Sequence, residues 1–303
     1  MSSNTRLRVA RRRDVAWPTI GLAVVCVATF VAAMSAAVLD VVPWWAAFVV
    51  NTAALYALYI VMHDASHGAV MPRRAANEWL GRISVFLINP LFSFPAYRFI
   101  HMQHHRFTNE RRRDPDMYVA GKNVFSQFFR CFTSDVGYTV YYLKSWNDRP
   151  VRERVESGLA TVVGIAAMVA VAVVLGPEAL ILGWLLPSRV ATGFLAFGLA
   201  LLPHWPHAVE QRRNLYRASA VRLGWEPIMT PLLLYQNFHL VHHVLPSAPF
   251  YQARAIWYDN LEFFMSQNPV VKAFPSTSPP PTPASLANAQ VPPPPDIPRE
   301  LRR

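Results

Sequence analysis

Four stretches of this chain stay apolar for about twenty residues each, and no other feature limits its fold as tightly. A helix of that length and composition must cross a bilayer or be wrapped in protein on every side. The stretches run at about Trp17–Leu39, Pro43–Met62, Ser157–Leu175 and Ala179–Leu202. With 53% of 303 residues hydrophobic and only 16% charged, too little polar surface remains to coat four such helices as a soluble domain. The sequence therefore predicts an all-α integral membrane protein. The links after Leu39 and after Leu175 are so short that the four transmembrane helices must pair as two hairpins, each returning the chain to its starting side.

Connectivity assigns every loop to a side before any charge is counted, which makes the distribution of bases an independent test of topology. Five Lys/Arg precede the first span, fourteen lie between Met62 and Ser157, and nine follow Leu202. All of these fall on one face, which by the positive-inside rule is cytoplasmic, together with both termini. The outer turns carry Asp40 and Glu178 and no base. The net charge of +11 thus reflects membrane orientation rather than nucleic-acid binding, since no basic groove helix or base-stacking pattern accompanies it. Arg189 is the exception, within the fourth span just after Pro187. A charge at that depth costs about 2.5–3.5 kcal/mol on insertion scales, so it faces the protein interior, snorkels or marks a helix break.

Three parts are expected along the chain: a basic cytoplasmic arm at residues 1–15, a membrane domain over residues 16–273, and a Pro-rich tail from residue 274 to 303 that cannot build a core. The first apolar run is too long for a signal-peptide core and is read as a retained span. Cys26 and Cys131 suggest neither a disulfide framework nor a metal-thiolate site.

All ten histidines fall in four short clusters at or just beyond the cytoplasmic end of a span: His63/His67, His101/His104/His105, His204/His207 and His239/His242/His243. The second and fourth share the pattern HxxHH. At this histidine content about 0.01 such windows are expected by chance, so a pair of them does not arise from composition. Helical neighbours at i and i+4 share a face, so His63 and His67 can aim at one point, and in each HxxHH the first histidine shares a face with the two that follow at i+3 and i+4. Several such sets converging supply about eight imidazole nitrogens, enough for a pair of metal ions with open positions. For His207 alone, the ordinary reading of a satisfied core histidine is favoured. The spans place the clusters at one depth on one side, forming a helical cytoplasmic cap, whereas a transporter is expected to carry ionisable groups near mid-bilayer.

With these boxes in hand, the sequence resembles the membrane fatty-acid desaturase and hydroxylase superfamily from His63 to about Tyr258. The HxxxH, HxxHH and distant second HxxHH boxes are met by His63/His67, His101/His104/His105 and His239/His242/His243, and the stretch Thr108–Asp116 is similar to the segment after the second box. Within that superfamily the chain looks most like the desaturase-type carotene ring hydroxylases, through His63–Gly68, Leu202–Trp205, Arg213-Asn214 and Gln236–His243. The Arg111–Arg113 run and the Pro-rich tail depart from that subgroup.

The resemblance implies two iron ions that activate O2, with the eight box histidines as ligands and His204 as a ninth. Asp64, Asp116, Gln236 and Asn237 are candidates to orient the imidazoles or a bound water. For Asp116, a turn or capping role is an equal alternative. Trp205, Tyr235, Phe238 and Tyr251 are candidates to line substrate access, although aromatics at this level more often anchor the interface. The reaction implied is oxidation of a C–H bond of a lipid-like substrate, foremost hydroxylation of a carotenoid ring, with desaturation of an acyl lipid as the alternative and a histidine-rich metal transporter as the remote one. No nucleotide, flavin, haem or iron–sulfur motif is visible, so an external electron donor such as ferredoxin with its reductase is expected. It would be steered to the basic face by charge.

Overall fold

The computed structural model describes Leu7 and residues 15–274. Apart from Leu7, Val15 and Phe274, the basic arm and the Pro-rich tail lie outside the described residues. The described chain is mostly helical, and four of its helices are long and apolar enough to cross a membrane: α1 (Trp17–Val38), α2 (Trp44–Ser66), α7 (Val151–Val174) and α8 (Pro177–Leu201). Between α2 and α7 come α3 (Arg74–Ile88), α4 (Phe94–Phe107), α5 (Val124–Phe132) and α6 (Ser134–Lys144). After α8 follow α9 (Glu226–Leu232), α10 (His239–Val244), α11 (Ala253–Asp259) and α12 (Leu261–Ser266).

Surface composition separates the long helices from the rest. Along α7 only Ser157 and Gly164 are buried, while Leu159, Val162, Val163, Val169 and Val173 stand exposed. In water that surface would be strongly unfavourable; in hydrocarbon it is the expected state. Gly164 is required here, because a Cβ would lie 1.9 Å from the Pro90 carbonyl oxygen. The close approach seats α7 on the link between α3 and α4.

α2 is the central column and packs against α1, α3 and α8. It runs four residues beyond the expected end at Met62, so His63 sits on the continuous helix and His67 caps it. α8 is not regular: π-helical turns at Ile181–Leu185 and Ala196–Leu201 flank an α-helical middle. The first has a direct cause. Pro187 has no N–H to give to the Gly183 carbonyl four residues back, and Asn51 of α2, fully buried, donates to that oxygen at 2.8 Å instead. α8 in turn satisfies the end of α3, with Trp184 Nε1 donating to the Leu87 carbonyl at 2.7 Å and the Ser188 hydroxyl donating to that of Ile88.

Arg189 is half-exposed and paired within the protein. Its guanidinium grips the Asp135 carboxylate through both terminal nitrogens, at 2.5 and 2.8 Å, and donates to the Phe132 carbonyl at 2.8 Å. This ties the α5–α6 corner to α8.

The all-α expectation needs one correction. Ala220–Leu223 (β1) and Val270–Ala273 (β2) pair in parallel, Val221 opposite Val271. Both valines join a core with Phe238, Leu240, Trp257 and Phe264 beneath α10. Two four-residue runs are too short for any periodicity to reveal, and their pairing is purely long-range.

Candidate metal centre

Four segments bring the histidines together: the end of α2, the middle of α4, the turn after α8, and α10. They form two groups of four whose ligating nitrogens lie within 4.8 Å of one another, His63/His67/His101/His242 and His104/His204/His239/His243. The HxxHH boxes do not each serve one point, as helical spacing alone suggests. Each is split: His101 joins the first group and His104 the second, while His242 joins the first and His239 and His243 the second. The reason is geometric: on a helix side chains three apart diverge by about 60° and adjacent ones by about 100°, so one box can point at two neighbouring positions. His105 stands between the groups, its Nε2 2.8 Å from that of His242 and 3.2 Å from that of His101, its ring stacked on His243. His207 is in neither group. Its Nδ1 meets Asn109 Oδ1 at 3.0 Å, and its buried Nε2 has no hydrogen-bond partner among the described residues.

The direction of each imidazole is set from behind. In the second group His104 Nδ1 donates to Asp114 at 2.9 Å, His204 Nδ1 to the Ala218 carbonyl at 3.0 Å, His239 Nδ1 to Gln236 Oε1 at 2.6 Å, and His243 Nδ1 to Gln211 Oε1 at 3.2 Å. Four acceptors behind four rings fix the proton on Nδ1 and leave the Nε2 lone pairs facing one another, His239 with His204 at 3.0 Å and His243 with His239 at 3.1 Å. Inward-facing lone pairs with no proton between them repel. Such a donor set is completed by a cation, and imidazole nitrogen suits first-row transition metals.

Electrostatics agree. Burial first, then the neighbouring imidazoles, holds His67, His101, His105, His204, His239, His242 and His243 well below the ordinary histidine range, so at neutral pH they are unprotonated. At His104 burial also pulls downward, but the carboxylates of Asp116 and Asp114 outweigh it and raise the group to about 9. The negative field that would protonate His104 favours a bound cation equally well.

Of the candidate orienting residues, Gln236 lies against His239. Asp64 lies 3.4 Å from His63 and also accepts from the Phe250 amide at 3.0 Å. Asp116 has one oxygen 3.5 Å from His104 Nδ1, and the other accepts from the Tyr138 hydroxyl at 2.6 Å. Asn237 touches no histidine; its amide nitrogen donates to the Arg222 carbonyl and to Thr230, bracing β1. Two residues with closer contacts had not stood out in the sequence. Asp114 accepts from His104 and from the amides of Asn109 and Asp116, and Gln211 bonds the His105 carbonyl as well as His243. For Asp114 a signal existed, the Asp-Pro-Asp sequence; for Gln211 there was none.

A cavity opens onto both groups. Its walls are apolar side chains of α2, α3 and α8, including Met62, Val85, Ile88, Leu195 and Leu199, with His63, His101, His104 and His239 exposed to it. Tyr59, Tyr97, Tyr138 and Asp116 add polar atoms. This corrects the expectation for the aromatics: Trp205, Tyr235, Phe238 and Tyr251 do not line it. Phe238 is wholly buried beneath α10, Tyr251 packs on the core around α1 and α2, Tyr235 packs on Phe250, and the Trp205 carbonyl accepts from Lys272.

Residues 39–274 match the fatty acid desaturase family, and the chain belongs to it. It is 27% identical to a beta-carotene ketolase of Haematococcus lacustris over 68% of this chain and 60% of that protein. To a beta-carotene ketolase of a Paracoccus species it is 28% identical over 64% of this chain and 71% of that protein. To an sn-1 oleoyl-lipid 12-desaturase of Anabaena variabilis it is 22% identical over 73% of this chain and 57% of that protein. The chain thus spans a little under two thirds of the length of the first and third.

Proposed function

We propose that this chain is a membrane-bound non-haem di-iron oxygenase that oxidises a ring C–H bond of a carotenoid. The observation that carries the reading is the convergence of eight histidines into two adjoining groups of four, with His105 between them, beside an apolar cavity that His63, His101, His104 and His239 line. His63, His67, His101, His105 and His242 would hold one iron, and His104, His204, His239 and His243 the other. Bound there, the metal pair supplies activation of O2 and removal of hydrogen from an unactivated carbon. The overall change balances as C–H plus O2, two electrons and two protons giving C–OH plus H2O, with the electrons brought by an external donor such as ferredoxin with its reductase.

The chain's own residues do the rest. Asp114, Gln236, Gln211 and the Ala218 carbonyl hold the imidazole tautomers. Met62, Val85, Ile88 and Leu195 receive a hydrocarbon and exclude water. Tyr138 and Asp116, hydrogen-bonded at the cavity wall, form a protonic pair beside His104. The positive-inside distribution supports two hairpins, α1–α2 and α7–α8, with a cap bearing the histidines on the cytoplasmic side.

The carotenoid assignment draws on the names of the ketolase relatives and on the likeness of Gln236–His243 and Leu202–Trp205 to carotene ring hydroxylases. A second reading, acyl-lipid desaturation, is favoured by the match to the 12-desaturase, which covers more of this chain. Expression in a host accumulating β-carotene, with ferredoxin and its reductase, separates them. Oxygenated carotenoids that vanish with His104→Ala support the first reading. Unchanged carotenoid with a new double bond in the acyl profile overturns it in favour of the second.

A further inference from the structure

The loop after α4 carries Arg111, Arg112 and Arg113, and the loop after α8 carries Arg212 and Arg213, one hundred residues apart in sequence. The fold joins the two loops edge to edge. Gln211 N donates to the Thr108 carbonyl at 3.1 Å, Asn109 Nδ2 donates to that of Val209 at 2.7 Å, and Arg212 pairs with Glu110 at 3.7 Å. With Arg106 at the end of α4, six exposed guanidinium groups share one surface. The Phe107 ring holds two of them in place, Arg113 at 3.4 Å and Arg106 at 5.1 Å from its centre. The acids among them are Glu110, buried, and Glu210, so the platform is strongly basic.

The inner side of the same two loops holds the metal centre: Asp114 on His104 from one, Gln211 on His105 and His243 from the other. A charged surface is therefore one side chain removed from the second histidine group and from His105. Neither loop exposes a large hydrophobic side chain around its arginines, and the apolar neighbours of Arg111–Arg113 include Val136 and Val140 of α6, both partly exposed. The rest of the basic face is different, with exposed Trp79 and Ile83 on α3 and Phe125 and Phe128 on α5, as suits a membrane interface. A strongly single-sign patch with only small apolar neighbours is the kind of surface used for brief electrostatic encounters.

We propose that this arginine platform is the docking site of an acidic, soluble one-electron carrier, which delivers the two electrons of each turnover in successive visits, its own cluster being oxidised each time. The proposal rests on the oxygenase reading for the purpose of those electrons, not for the docking itself.

The test uses the full chain in phosphatidylcholine nanodiscs and an acidic [2Fe–2S] ferredoxin, with binding read by surface plasmon resonance at low and high salt. For Arg111→Glu/Arg112→Glu/Arg213→Glu, affinity at low salt is expected to fall by about tenfold or more and its salt dependence to flatten. For Arg73→Glu/Arg74→Glu/Arg152→Glu, an equal charge change elsewhere on the basic face, affinity should stay within about twofold. Equal losses in both variants, or unchanged binding in the first, overturn the proposal. So does a platform variant that keeps carrier binding but loses attraction to anionic lipid, since the surface would then belong to headgroups. Product formation driven by dithionite, without carrier, is scored separately: its absence in the wild type counts against the oxygenase reading and leaves the docking result standing.

Discussion

In the group of His104, His204, His239 and His243, all four rings are buried and each Nδ1 is bonded to a fixed acceptor. In the group of His63, His67, His101 and His242, two rings are only partly buried and His63 alone has such a partner, Asp64 at 3.4 Å. Among the described residues, Nδ1 of His67, His101 and His242 carries no hydrogen bond. The difference follows from where the ligands come from. The second group is held by the loop after α4, the loop after α8 and the turn before α10, which supply carboxylate, amide and backbone acceptors. The first lies against α2 and α4, whose regular backbone offers none, and its rings are steadied by stacking instead, His101 on Tyr97 and His63 on Tyr59. Two histidine groups drawn from shared boxes are thus unequal, one braced on every ring and one not, and under the proposed function the less braced group is the one better suited to admit oxygen and substrate.

The largest effect that tests this contrast is expected for His104→Ala, which removes a braced ring: product should be abolished and the second iron lost, seen by metal analysis alongside product assay. His67→Ala should also abolish product yet leave at least one iron in place. Next comes Asp114→Asn. An acceptor behind a ligating imidazole is worth about 10–100-fold in metal affinity or activity, and at 2.9 Å with two further amide donors Asp114 should lie at the upper end. Equal iron affinity in this variant and the wild type would remove the basis of the comparison. On dialysis against a chelator, iron should leave in two phases of equal amplitude, with Asp114→Asn accelerating the slow phase and not the fast one. The smallest effect is expected for Asp64→Asn, whose contact to His63 is long: a loss of about threefold or less in turnover, well short of that for Asp114→Asn.

Much of this was legible in the sequence, and what was not has identifiable causes. Four long apolar helices follow from composition and length alone, and the histidine spacing pointed to a shared centre. The spacing could not show that each HxxHH would divide between two groups, because that depends on how α4 and α10 are turned toward one another. Gln236 lies three residues from its histidine and is a local feature. Gln211 is 32 residues from His243, and only the fold joins them. Asn237, next to Gln236, points the other way along the same turn and braces β1. The first π-turn of α8 joins the missing N–H of Pro187 to the bond from Asn51 to the Gly183 carbonyl, a combination no window of sequence contains.

The most direct measurement is the metal content and Mössbauer spectrum of the full chain purified from iron-57-grown cells. Two irons per chain in two distinguishable nitrogen-rich environments is the expected result. One metal ion per chain, or zinc in place of iron at full catalytic competence, would contradict it.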